Sequence, residues 1–169
     1  WREDLTFNGA GSPSFHLHKN RATPLNEIAI GSALLKPTTF DIDPLQAFTP
    51  ACFIAAPVLK QTIGTRLPGI GKLPQWLGLI WPHLSISYFI YGGYWKADYC
   101  YPPDIRLNKL FGPSTNQSML NAAGRYPLSV DDYVFLRPWQ SEFVLLQFGA
   151  ILAWRKTEVV AKWKPLLSG

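Results

Sequence analysis

The residues able to do chemistry fall in a few short polar stretches. Asn8-Gly9-Ala10-Gly11-Ser12-Pro13 follows a short apolar run. Glycines let backbone N–H groups come close to an anion, successive amides form a concave nest, and the serine hydroxyl adds a donor. A phosphate could sit there without any lysine or arginine. The same residues also suit a tight turn that needs positive φ, and the glycine spacing is neither a P-loop nor a dinucleotide fingerprint. A second stretch, Arg137-Pro138-Trp139-Gln140-Ser141-Glu142, lies between apolar runs. On an extended chain Gln140 and Glu142 point the same way, so an amide oxygen and a carboxylate could face a hard cation or a water. A solvated connecting turn is the alternative. A third, Asn26 to Ser32 followed by Lys36-Pro37-Thr38-Thr39-Phe40-Asp41, reads as a strand entering a polar loop. His16 and His18 would share a face of an extended segment, a two-ligand start for zinc. No cysteine or carboxylate stands at a matching spacing, which favours exposed imidazoles. No nucleophile-elbow motif is present.

The elements that must position these residues are mostly strands. Fifteen prolines and thirteen glycines cut the chain into short pieces, and β-branched and aromatic runs recur between turn signals. Strands are predicted at Leu5 to Asn8, Asn26 to Leu35, Cys52 to Lys60, Ile86 to Tyr91, Tyr133 to Arg137 and Glu142 to Phe148. Pro57 argues for an edge or a bulge in the third of these. Asp131-Asp132 is a turn, and Ile151 to Trp154 with Val159 to Trp163 forms a hairpin around Arg155-Lys156-Thr157. Helices are predicted only at Pro44 to Phe48 and at Ser114 to Ala122, where Ser114 could cap. Gly64 to Pro82 reads as a long loop. There is no internal repeat and no low-complexity tract.

A length of 169 residues suits one domain, or a small domain plus a piece of another. Hydrophobic residues make up 47% of the chain, enough for a core, while charged residues make up only 16%, against roughly 25% in typical soluble domains. That deficit points to an interface or a missing neighbour. The net charge is +5, yet the basic residues are scattered, so nucleic-acid binding is not expected. Cys52 and Cys100 make neither a disulfide framework nor a zinc-finger spacing, as in a reduced cytoplasmic protein. No signal-peptide pattern is present. No apolar run reaches the ~18 residues of a membrane span, Leu77 to Ile90 being broken by Pro82, His83 and two serines. The start at Trp1 suggests a fragment or a processed chain.

Taken in order, the motifs resemble the C-terminal part of the alanine-racemase-like class of pyridoxal-phosphate enzymes, in its D-threonine aldolase and D-serine dehydratase branch. Phe7-Asn8-Gly9-Ala10-Gly11-Ser12 is similar to the branch's Gly-Gly-Gly-Thr-type phosphate loop, and Glu27-Ile28-Ala29-Ile30-Gly31-Ser32 to its Glu-Ile/Val-x-x-Gly-Ser strand. Pro37-Thr38-Thr39-Phe40-Asp41 is similar to its Pro-Thr-x-Phe-Asp loop, and Pro50-Ala51 through Pro57-Val58 to the strand after it. Val130 to Trp163 is similar to its closing strand, polar segment and hairpin.

The resemblance implies a mainly β chain. Residues 1–25 would carry the last strand and phosphate loop of a (β/α)8 barrel otherwise missing, and 26–169 the C-terminal β domain. It implies that Gly9, Ala10, Gly11 and Ser12 bind pyridoxal 5'-phosphate, and that Gln140 and Glu142 are catalytic. In the metal-dependent members a histidine and a cysteine or aspartate occupy the positions of Gln140 and Glu142. The oxygen ligands here would suit Mg²⁺, Mn²⁺ or Ca²⁺ better than Zn²⁺.

The implied activity is that of a lyase, an aldolase or dehydratase acting on D-configured β-hydroxy amino acids. The Schiff-base lysine lies in the barrel, so the chain alone is expected to be inactive. Homodimerisation, a cytoplasmic location and no membrane partner follow. A racemase of the same fold is an alternative, with Tyr88, Tyr91, Tyr94, Tyr99 and Tyr101 available. So is a non-catalytic module binding ligands or proteins through Trp76, Trp81, Tyr94 and Trp95.

Overall fold

The computed structural model describes residues 2, 4–63, 66–67, 71–72, 86–122 and 127–165. In chain order the strands are β1 (Asn8–Gly9), β2 (Glu27–Ile28), β3 (Ile54–Ile63), β4 (Arg66–Leu67), β5 (Gly71–Lys72), β6 (Ile86–Tyr91), β7 (Ala97–Tyr101), β8 (Arg106–Leu107), β9 (Gln117–Ala122), β10 (Tyr133–Pro138), β11 (Ile151–Arg155) and β12 (Glu158–Trp163). Two short helices, α1 (Ser32–Leu35) and α2 (Ser141–Gln147), and 3-10 turns at Phe15–His18, Thr38–Phe40 and Asp43–Leu45 complete the elements among the described residues. The mainly β architecture is the one the sequence predicts. The chain forms two compact units, one of Trp1–Cys52 with Pro138–Gly169 and the other of Phe53–Arg137.

The second unit is built on a six-stranded sheet of order β7-β10-β3-β6-β9-β8. Side chains alternate across a pleated strand. Ile54, Ala56 and Val58 of β3 therefore share a buried face with Val134 and Leu136 of β10, which pair with Ala56 and Ile54. Tyr88, Ile90, Ile105 and Leu120 fill the core and are fully buried. The Tyr88 hydroxyl accepts a hydrogen bond from the Leu128 N–H at 3.1 Å. Burial raises the pKa of the Tyr99 phenol on edge strand β7. Pro57 lies in the central strand β3 rather than at an edge; the expected bulge is there, between Val58 and Lys60.

Ser114 to Ala122 corrects a predicted helix. The Ser114 hydroxyl accepts from the N–H of Asn116 at 3.3 Å, a local turn that competes with capping, and Gln117–Ala122 then pairs with β6 and β8. Five successive residues, Ser118 to Ala122, are buried. Their polar members are satisfied by side chains: Asn121 accepts from Asn108 Nδ2 at 2.7 Å and donates to Ser87 Oγ at 3.0 Å. Of the predicted Gly64 to Pro82 loop, the described part is the two-residue pair β4–β5. The rest lies outside the described residues.

In the first unit β1 and β2 pair in parallel, Asn8 with Glu27 and Gly9 with Ile28. Asn26 lengthens the pair by one step. Its Oδ1 accepts from the Phe7 N–H at 2.8 Å and its Nδ2 donates to the Leu5 carbonyl at 2.9 Å. The single strand predicted from Asn26 to Leu35 stops at Ile28, because Gly31 breaks it and α1 begins at Ser32.

The strand predicted from Glu142 to Phe148 is α2. Leu145, Leu146 and Gln147 are good helix formers, and Glu142 in the first turn complements the helix dipole. Only one side is covered, with Val144 buried and Leu146 84% exposed. The predicted Pro44 to Phe48 helix is reduced to the Asp43–Leu45 turn. The C-terminal hairpin β11–β12 forms as predicted, with a register shift between Ala153 and Trp154. Among the described residues no helix is long and apolar enough to cross a membrane.

Candidate functional site

The glycine loop at the end of β1 turns through a left-handed residue. Ala10 is left-handed, with φ of 63°. A Cβ on Gly9 would stand 2.8 Å from Leu25 Cδ2, so that position accepts only glycine without repacking, whereas a Cβ on Gly11 would meet nothing nearer than Pro13 Cδ at 3.9 Å. The Gly11 carbonyl turns inward and accepts from the N–H groups of Ser14 and Phe15 at 3.0 and 2.9 Å. Among the described residues the N–H groups of Ala10, Gly11 and Ser12 meet no protein acceptor. Successive unpaired amides around a left-handed residue form a concave, positively polarised surface. Ser12 is 8% exposed, and its Oγ accepts from the Ala33 N–H at 3.0 Å. Its hydroxyl hydrogen is left to donate.

The bond to Ala33 ties this loop to α1, and α1 forms one wall of a cleft of about 350 Å³. Gly31, Ser32, Leu34 and Leu35 line it from α1 and its approach, and Ser141, Glu142 and Leu145 from α2. Ser141 is 6% exposed, and its Oγ has no hydrogen-bond partner among the described residues. The Trp139 carbonyl accepts from both the Oγ1 and the N–H of Thr39, at 2.6 and 3.4 Å. The Pro37-to-Asp41 loop thereby anchors the residues leading into α2. Lys36 is buried and left-handed, with φ of 45°; its Nζ donates to the Phe48 carbonyl at 2.6 Å and stands 3.9 Å from Asp41 Oδ1.

Glu142 thus shares a cleft with the Gly31-Ser32 pair. Gln140 has extended backbone at the N-cap of α2 and is exposed. The expectation that Gln140 and Glu142 alternate along one strand face is corrected, because Glu142 belongs to a helical first turn. Among the described residues no group of three or more His, Cys, Asp or Glu is placed to hold a metal ion. His16 and His18 lie in a 3-10 turn, and His18 Nδ1 is 3.3 Å from Thr23 Oγ1.

Of the five tyrosines, Tyr88 is committed to the core of the second unit, while Tyr91, Tyr94 and Tyr101 are exposed. Trp76 and Trp81 lie outside the described residues. Sequence reasoning passed over Ser141, Leu34, Leu35 and Leu145. The apolar ones read as core, and Ser141 gains its meaning only when it is buried.

No family model and no curated protein matches the chain. Among solved structures, a D-threonine aldolase from Filomicrobium marinum is similar, with a TM-score of 0.63 at 16% sequence identity, over 94% of this chain and 40% of that chain. The likeness shows the fold alone: the mainly β chain is built like a part of that D-threonine aldolase. The chain spans about 40% of the length of the solved aldolase.

Proposed function

We propose that this chain is the C-terminal portion of a pyridoxal-phosphate-dependent lyase acting on D-configured β-hydroxy amino acids, with residues 1–25 completing the cofactor-binding barrel and 26–169 forming the β domain. The observation that carries the reading is the run of unpaired amides at Ala10, Gly11 and Ser12, in a chain whose fold is similar to that of a D-threonine aldolase. These amides and the Ser12 hydroxyl hold the phosphate, with Gly9 permitting the close packing behind it. The bound cofactor supplies an electron sink. Glu142, in the cleft, would accept the proton of the substrate β-hydroxyl as the carbon–carbon bond is cleaved, or, in a dehydratase, would return a proton it has taken up to that hydroxyl so that it leaves as water. Gln140 orients the same group from the start of α2.

One amide and one carboxylate do not make a metal site by themselves. Mg²⁺, Mn²⁺ or Ca²⁺ held there would take its remaining oxygens from substrate and from the barrel polypeptide, and no step depends on it. The complete enzyme is a cytoplasmic homodimer. The exposed Leu152, Trp154 and Trp163 of the β11–β12 hairpin support a covered surface.

Titration of the ¹⁵N-labelled chain with pyridoxal phosphate tests the reading. The amide signals of Ala10, Gly11 and Ser12 are expected to shift, Ser12→Ala to weaken the response, and borohydride to trap no adduct on this chain alone. Unmoved loop amides, or a trapped adduct, would overturn it.

A further inference from the structure

We infer that the outer face of β3 and β10 is where two copies of this chain pack on each other, sheet against sheet. An antiparallel sheet with one face in water normally carries polar residues on that face. Here the outward positions are apolar: Phe53 just before β3, Ala55 and Pro57 within it, and Tyr133 and Phe135 on β10. Tyr133 pairs with Pro57 and Phe135 with Ala55, so these residues form one patch. Tyr101, at the end of β7, extends it by an edge contact with Phe135, ring centroids 6.2 Å apart. Phe53 is 45% exposed, Tyr101 and Tyr133 51% and Phe135 37%, and Ala55 is exposed as well. In the same sheet β9 is buried over five successive residues, so both of its faces are already covered.

The relief of the patch names its occupant. β10 presents a ridge of two large rings, and β3 beside it a strip of two small residues. A two-fold axis running along the strands, between β3 and β10, sets the ridge of each copy over the strip of the other, Phe135 above Ala55 and Tyr133 above Pro57. A surface that carries both the knob and its hole fits a second copy of itself, and a two-fold contact closes without polymerising. Aligned sheets stack about 10 Å apart, which leaves room for a large side chain over a small one. On a scale of about 150–250 Å² for a whole aromatic side chain, the exposed portions present roughly 500 Å² per copy. A pair therefore buries about 1,000 Å², the lower limit for a specific interface. None of these side chains carries a charge, and tyrosine and phenylalanine are residues that interface centres favour. The surface rests on the sheet alone. It gives the homodimer of the lyase reading a contact made by residues other than those of the β11–β12 hairpin, and it stands or falls without that reading.

Sedimentation equilibrium of the 169-residue chain tests the inference. In concentrated solution the mass is expected to be twice the 19.0 kDa of one chain, falling towards that value on dilution. Phe135→Thr and Tyr133→Thr, which keep good strand formers at exposed positions, are each expected to raise the dissociation constant about tenfold or more. Ala55→Arg plugs the strip with a charge and is expected to leave a monomer, while Trp154→Ser in the hairpin is expected to change nothing. With 3-fluorotyrosine incorporated, the ¹⁹F signals of Tyr101 and Tyr133 are expected to shift between concentrated and dilute solution. That readout uses the unaltered sequence and decides the matter even where a variant fails to fold. A mass of 19.0 kDa at every concentration, a dimer indifferent to Phe135→Thr and Ala55→Arg, one abolished by Trp154→Ser, or unmoved Tyr101 and Tyr133 signals would overturn the inference. The response of the loop amides to pyridoxal phosphate is read separately. A monomer whose loop amides respond would lose this surface and keep the lyase reading, and a dimer with silent loop amides would do the reverse.

Discussion

The proposed chemistry rests on a few residues whose value would come from what they leave unpaired. Glu142 is exposed in the cleft wall, and a positioned acid–base group typically contributes 10²–10⁴-fold to a rate. Glu142→Ala in the complete enzyme is therefore expected to lower kcat/KM at least about 10²-fold while pyridoxal-phosphate occupancy, read from absorbance, stays unchanged. Equal losses of both would remove Glu142 from its role. Ala10 carries the opposite burden. A left-handed conformation costs an L-residue roughly 1–2 kcal/mol, and glycine escapes most of that. Ala10→Gly should hold or raise the urea midpoint, and Ala10→Val should lower it and blunt the loop's response to phosphate. The glycine loop was legible because only glycine and small residues suit it. Ser141 was not, because a serine before a glutamate looks alike whether wet or buried.

The elements that were legible are those with a clear period. Ile86–Tyr91, Tyr133–Pro138 and the β11–β12 hairpin appear within a residue or so of expectation, since runs of β-branched and aromatic residues leave few other ways to bury a face. The two exchanged assignments, α2 for a strand and β9 for a helix, involve short runs whose period fits either form. In β9 the decision belongs to the neighbours: Ser118, Asn121 and the apolar residues between them are buried together, and strand pairing with a side-chain network satisfies them. Asn121→Ala removes the acceptor of Asn108 Nδ2 and the donor to Ser87 Oγ. It is expected to destabilise the chain by about 1–3 kcal/mol, seen as a lower urea midpoint at an unchanged slope. A midpoint within error of the parent would mean that the network adds nothing to β9.

For the molecule as a whole, the titrating groups set an alkaline limit. Burial pushes the thiol pKa of Cys52 above its ordinary value of 9.0, that of Cys100 likewise, and the phenol of Tyr99 above 10.0. A group whose folded pKa is raised stabilises the fold below its unfolded pKa, and loses that contribution as pH climbs through the folded one. Stability is expected to be flat with respect to these groups through neutral pH and to fall from about pH 9 upward. Cys52→Ala should make the decline shallower in urea titrations at successive pH values, and an unchanged decline would assign the loss elsewhere. The scarcity of charge read from composition has its counterpart in large exposed apolar side chains, among them Trp154, Trp163 and Leu146. What covers them was not legible, because composition counts residues without locating them.

The division into units also bears on how the chain is made. Residues 53–137 begin and end on adjacent strands, with Ile54 paired to Leu136, so this segment holds every strand of its sheet up to its own last residues. It can close as soon as it has left the ribosome. Residues 1–52 must wait for 138–169, which means that Ser12 and Ala33 can meet early while Ser141 and Glu142 arrive last. The cleft is therefore a late event of synthesis: the sheet can close once its own strands have emerged, before the residues of α2 that complete the cleft.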